Sequence, residues 1–167
     1  MYESDVDLER LQALLDRSYG TAGDHLKSIV TPERRLSAEE TTDLLQGMRL
    51  LALATVTADG RPLVGPVDGL FYRGHFWFGS SPTSLRYRHI RERPFVSATH
   101  TPSESYSVTV HGRAEIVDLT LPEHAGFGDY CVEIYGEEWR DWGDGAFYAR
   151  IDADRMFTFH FDEADQE

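Results

Sequence analysis

The chain has a single cysteine, Cys131, among 167 residues, which excludes an internal disulfide and suits a reducing compartment. Cys131 reads as a small apolar filler rather than a reactive thiol. Long apolar runs are missing as well: none approaches the ~20 residues of a membrane span. The N-terminus, Met1-Tyr2-Glu3-Ser4-Asp5, lacks the basic head and apolar stretch of a secretory signal, so the expected location is the cytoplasm. Cations are scarce, with 16 Lys and Arg against 29 Asp and Glu, and the formal charge of -13 argues against a general nucleic-acid binder. No internal repeat, Ser-His-Asp arrangement or nucleophile elbow is visible, and Gly126-Phe127-Gly128 is too short for a nucleotide loop. His25, His75, His89, His100, His111, His124 and His160 show no ligand spacing of two to four residues, so no metal site is expected. No residue is assigned a catalytic role.

What is present suffices for one core. A domain of this length buries roughly two-thirds of its unfolded surface, and 41% of the residues are hydrophobic and 12% aromatic. Residues 1–48 read as a helical N-terminal arm, with Leu8, Leu11, Ala13, Leu14 and Leu15 at helical spacing and Ser18, Gly20 and Gly23 as interruptions. A capping box at Ser37-Ala38-Glu39-Glu40 starts a second helix carrying Leu44, Leu45 and Met48. Residues 49–167 form the expected main domain.

From residue 50 the apolar period falls to about two. Leu50 to Thr57 is followed by an Asp59-Gly60 turn and by a strand through Leu63, Val64 and Val67; Arg73-Gly74 turns into His75-Phe76-Trp77-Phe78. Tyr106, Val108, Val110, Gly112, Ala114 and Ile116 alternate with polar residues, so Tyr106 is expected in the core. A helix over about 121–139, started by Thr120 with Pro122 in its first turn, and two strands, Phe147 to Ile151 and Met156 to Phe161, complete the chain. Many short antiparallel strands need closure to hide their edges, which points to a mainly β protein with flanking helices, an antiparallel barrel.

Chemistry concentrates between Phe78 and Pro94. Ser80, Ser81, Thr83 and Ser84 precede Arg86, Arg88, Arg91 and Arg93, four of the chain's 16 cations, in a short helix stopped by Pro94. Unpaired amides at a helix start, with hydroxyls and guanidiniums nearby, suit a phosphate. Arg86 in the first turn opposes the helix dipole, a penalty that a bound anion would remove. The plainer alternative is that Ser81 or Thr83 caps the helix and the arginines form a solvated face. For Arg91 and Arg93, near the helix C-terminus, the plain reading stands.

Three segments resemble the pyridoxamine 5'-phosphate oxidase-like, FMN-binding split-barrel superfamily. They are Ala54 to Pro62 with Val64-Gly65-Pro66-Val67; Ser84 to Ile90 with Arg93-Pro94-Phe95-Val96-Ser97; and Tyr106 to Glu115, together spanning roughly seventy residues. The resemblance implies a flavin-binding split barrel working as a homodimer, with the cofactor at the subunit interface and the helical arm available to wrap the partner. It implies ring or ribityl contacts from Val64, Gly65, Pro66 and Val67, and phosphate contacts from Ser80, Ser81, Ser84, Arg86 and Arg88. The family usually has Lys at the place of Arg86. Pyridoxamine phosphate oxidases themselves carry an Arg where this chain has Gly65 and a Lys near Leu70, which points instead to actinobacterial-style relatives. Some of those bind FMN, others a deazaflavin coenzyme, and a smaller branch handles haem. The implied function is an FMN-dependent oxidoreductase acting on a small organic molecule. The alternatives are a deazaflavin-dependent reductase or a non-catalytic flavin- or haem-binding dimer. Trp139 and Trp142 are candidates for flavin stacking, a dimer interface or core packing, and His111 stands out on a polar strand face beside Arg113.

Overall fold

A computed structural model describes residues 2–143 and 147–161. The six strands β1 (Met48–Val56), β2 (Pro62–Tyr72), β3 (His75–Ser80), β4 (Phe95–His100), β5 (Tyr106–Val117) and β6 (Phe147–His160) are antiparallel neighbours. They close in the order β1-β2-β3-β6-β5-β4. The expected barrel is therefore present, and its alternation sets the core: Leu51, Leu53, Phe76, Phe78, Val108 and Val110 point inward. Each such side chain stabilises the fold by about 1.5–3 kcal/mol through burial.

Helices cover what the barrel leaves open. The arm consists of α1 (Asp5–Gly20), α2 (Asp24–Ile29), a 3-10 turn (Pro32–Arg34) and α3 (Ala38–Leu44), the last started by the Ser37/Glu40 capping box read from the sequence. α1 buries Leu11, Leu14, Leu15 and Tyr19 in the same core as its own barrel. A second cluster lies outside the barrel, where Leu70, Tyr72 and Trp77 meet Phe127, Tyr130 and Cys131; Trp77 stacks on Phe127 at 4.1 Å between ring centroids. α4 (Leu85–Glu92) lies between β3 and β4, and α5 (Ala125–Tyr135) and α6 (Trp139–Gly143) lie between β5 and β6. No helix among the described residues is long and apolar enough to cross a membrane.

Four local expectations are corrected. The last two expected strands are one, β6, with an irregularity where His111 pairs with Arg155 but Gly112 pairs with Ala153. The helix expected over 121–139 breaks into a 3-10 turn (Pro122–His124), α5 and α6, because Gly136 takes φ 86° and ends α5. Thr120 does not cap it; its amide and hydroxyl both bond the Asp118 carboxylate. Tyr106 is half-buried at the start of β5, with its hydroxyl 3.4 Å from His100 Nε2, not a core residue.

The ring of strands is parted in two places. β2 and β3 pair only over Gly69–Tyr72 and His75–Phe78, so the first half of β2 diverges from the end of β3. β3 likewise pairs only with Phe147–Arg150 of β6. Beyond that point α1 stands in for a strand: the Met156 amide donates to Ser18 Oγ at 2.9 Å and the Thr158 amide to Tyr19 Oη at 2.7 Å, while the Leu36 amide donates to Thr158 Oγ1 at 2.9 Å.

Candidate functional site

The gap between β2 and β3 is where three of the five residues expected from the sequence to contact a phosphate, Ser80, Ser84 and Arg86, come together. α4 closes that end of the barrel with one face, since Tyr87 and Ile90, three residues apart, are both buried. The Tyr87 hydroxyl meets the carbonyls of Phe78, at 3.2 Å, and of Phe147. His89 faces the barrel too, its Nδ1 2.9 Å from Thr55 Oγ1. Ser84 is the cap, accepting from the Tyr87 amide at 3.2 Å; Ser81 and Thr83, one or other of which caps the helix in the plainer alternative, bond each other at 3.1 Å.

With Tyr87 turned inward, Arg86 falls on the flank of α4 and reaches across the gap. Its Nη2 donates to the Pro66 carbonyl at 3.2 Å and its Nη1 lies 3.5 Å from Ser80 Oγ, which donates to Ser84 Oγ at 3.1 Å. A proline is tolerated in β2 here because its missing N–H, like its carbonyl, faces the gap rather than β1. The Arg86 guanidinium is half-buried, and burial pulls its pKa below the ordinary value without discharging it. Among the described residues no carboxylate pairs with it. A cation drawn out of water and given only neutral acceptors is poorly compensated, and a site of this kind favours an anion. Gly65 permits the arrangement: a Cβ there would meet Arg86 Nη2 at 3.2 Å.

Ser80, Ser84 and Arg86 are thus brought together beside Gly65 and Pro66. Val67 is buried in the core, whereas Val64 is 70% exposed on the outer face. Ser81 is exposed and turned to Thr83. Arg88 is exposed and roughly 200° around the helix from Arg86; no polar contact reaches its side chain among the described residues. Sequence reasoning missed the Pro66 carbonyl, visible only once β2 and β3 part, and Tyr87, whose signal was its i, i+3 spacing to Ile90. Trp139 is a core residue, its Nε1 donating to the Tyr148 hydroxyl at 3.0 Å; the Trp142 side chain lies outside the described residues.

Two neighbouring features bear on function. The outer face of β1, β2 and β4 is apolar and open, with Leu50 58%, Val64 70% and Phe95 58% exposed. Across Phe147 lies a cavity of about 600 Å³ walled by Ile116, Leu119, Ala125, Trp139 and Phe147, with Asp129 and Arg140 among its polar residues. His111, on the outer face, sits 2.8 Å from Ser97 Oγ through Nδ1 and does not approach Arg86's partners. Cys131 is fully buried and its thiol is pushed up to about 12, which makes it a poor nucleophile. No group of three or more His, Cys, Asp or Glu gathers as for a metal ion among the described residues.

Comparison with known proteins gives a consistent picture. The family model described as pyridoxamine 5'-phosphate oxidase matches residues 37–166. A conserved hypothetical protein, Rv2991, from Mycobacterium tuberculosis is similar in structure at 25% identity and a TM-score of 0.65, over 77% of this chain and 88% of that one. A FAD-binding protein from Mesorhizobium loti is similar at 25% identity and a TM-score of 0.59, over 77% of this chain and 98% of that one. The heme storage protein HutZ from Vibrio cholerae shares the fold, at 20% identity and a TM-score of 0.61, over 73% and 92% of the two chains. No curated protein sequence matches this chain.

Proposed function

The chain belongs to the pyridoxamine 5'-phosphate oxidase family, and from that premise we propose that it is a flavin-dependent oxidoreductase acting on a small organic molecule, with FMN as its cofactor. The observation that carries this reading is the Arg86 guanidinium, half-buried and answered, among the described residues, only by Pro66 O and Ser80 Oγ. The donor set fits the phosphate tail: one cation, the Ser80 and Ser84 hydroxyls, and a glycine that leaves the approach free of a Cβ. Arg86 holds and orients the tail, and the unpaired edge of β2 at Val64–Val67 offers backbone groups to the rest of the cofactor. The bound flavin supplies hydride transfer. The chain supplies position and shelter from water, and the cavity beside Phe147 is of the size that takes a small organic substrate.

The family match and the FAD-binding relative support a flavin over haem. A dimer in the cytoplasm belongs to the same proposal: the apolar outer face of β1 and β2 suits a second copy, which would cover a cofactor lying along β2. The experiment is a visible spectrum of the full chain, purified and then mixed with excess FMN and separated from it. Retained oxidised-flavin absorbance with quenched fluorescence is expected. A Soret band or a colourless protein overturns the FMN reading, and a colourless protein that retains a deazaflavin coenzyme supports the deazaflavin alternative.

A further inference from the structure

Away from the β2–β3 gap, a cleft of about 170 Å³ separates α1 from the turn between β2 and β3; Arg10, Arg17, Arg73, Gly74, His75 and Asp7 are among the residues around it. We infer that this cleft binds a compact oxyanion, the phosphoryl group of free phosphate or of a phosphate monoester. Its charge runs against the rest of the chain, whose formal net charge is -13. Arg10 and Arg17 are two helical turns apart and share one face of α1, with Leu14 between them turned to the core. Arg73 faces them from the turn. It holds φ 50°, a left-handed conformation that side-chain-bearing residues seldom adopt, so the turn keeps a bulky cation at a position glycine would fill with less strain.

Among the described residues none of the three guanidiniums is ion-paired; the recorded neighbour of Arg73's is the ring of Tyr72, 5.4 Å away. None of the nearby carboxylates forms an ion pair with these guanidiniums among the described residues. Asp7 accepts from the Ser4 amide at 3.0 Å and the Ser4 hydroxyl at 2.8 Å in the cap of α1. Glu3 accepts from the Arg73 amide at 2.9 Å, and Asp152 is held by Arg150 at 2.8 Å while lying 3.6 Å from His75 Nδ1. Three exposed cations around so small a space outnumber the one carboxylate among its lining residues, Asp7, and leave a net positive charge of the kind that recognises phosphoryl oxygens. A cleft of 170 Å³ is the room of about six water molecules at ~30 Å³ each, enough for a phosphoryl group and too little for a nucleotide. The site does not depend on the flavin reading, and it draws Arg10 and Arg17 from a helix outside residues 37–166.

The test keeps the two sites apart. Orthophosphate and glycerol 3-phosphate are titrated by calorimetry into the full chain, into Arg86→Gln, and into Arg10→Gln/Arg17→Gln, against sodium chloride of equal ionic strength. The binding event that belongs to the cleft should persist in Arg86→Gln, whatever that change does to binding at the β2–β3 gap, and should be weakened about tenfold or more in the double variant. Arg73→Gly should weaken binding without lowering the unfolding temperature, since it relieves the turn as it removes the charge. Tighter binding of one of the two compounds identifies the source of the phosphoryl group. Binding that disappears with Arg86→Gln but survives Arg10→Gln/Arg17→Gln overturns the inference, as does a response no larger than that to chloride.

Discussion

Replacing Arg86 by Gln separates its part in the fold from its part in cofactor binding. In the free protein the side chain has two long bonds to neutral acceptors, 3.2 Å to Pro66 O and 3.5 Å to Ser80 Oγ. A typical neutral hydrogen bond contributes about 1 kcal/mol net, and removing a half-buried, unpaired charge offsets part of that loss. The unfolding temperature of the cofactor-free variant should therefore stay within about 3 °C of the parent. With FMN bound, the same guanidinium would hold a phosphate through charge-assisted bonds of roughly 1.5–3 kcal/mol each, so even one lost bond raises Kd about 10- to 150-fold. Fluorescence quenching measures this directly, and riboflavin, which lacks the phosphate, is the internal control: its affinity should not change. Equal losses for FMN and riboflavin would mean that Arg86 shapes the gap without touching the phosphate, and an unchanged FMN affinity would refute the assignment altogether.

Two further outcomes follow from the packing. Gly112→Ala should abolish soluble expression or cost several kcal/mol in a urea titration, because the new Cβ would sit 2.1 Å from the Asp152 carbonyl, a backbone atom of β6 that cannot step aside; a variant as stable as its parent would show that the strands separate there. Burial raises the Cys131 thiol from its ordinary 9.0 to about 12 and the Tyr148 phenol from 10.0 to about 12. The native state then keeps protons that the unfolded chain releases, so this contribution to stability is whole below about pH 9 and drains away toward pH 12. Urea midpoints measured from pH 8 to 10.5 should fall, less steeply in Cys131→Ala, and a rising midpoint would contradict the sign.

The barrel was readable because alternation is a local signal, and β1, β2 and β5 keep one phase from end to end. β6 does not. Ala149 and Ile151 face inward before the irregularity and Met156 and Thr158 after it, so the inward set changes from odd to even positions. A period-two reading necessarily splits such a strand in two. Gly136 was passed over for a related reason, since a single glycine inside a helical pattern declares itself a terminator only when its φ is known. At the candidate site, the hydroxyls and Arg86 were visible as residue types. Which of them converge was not, because it depends on Tyr87 turning inward to fix the rotation of α4 and on β2 parting from β3. Arg86 and Arg88 look equivalent in the sequence, yet a helix sets them on nearly opposite sides.

The lock between α1 and β6 has a consequence for how the chain behaves outside its native state. Ser18, Tyr19 and the segment around Leu36 occupy backbone and hydroxyl groups of β6 that β3 leaves unpaired. A truncation starting at residue 37 would retain every strand of the barrel and all of the residues that match the family, yet it would bare the outer rim of β6 together with Phe157 and Phe159. Bare rims of that kind recruit strands from other molecules. The N-terminal helices thus act as a guard against sheet-to-sheet aggregation, and the trimmed protein should fail by precipitating during refolding rather than by melting early.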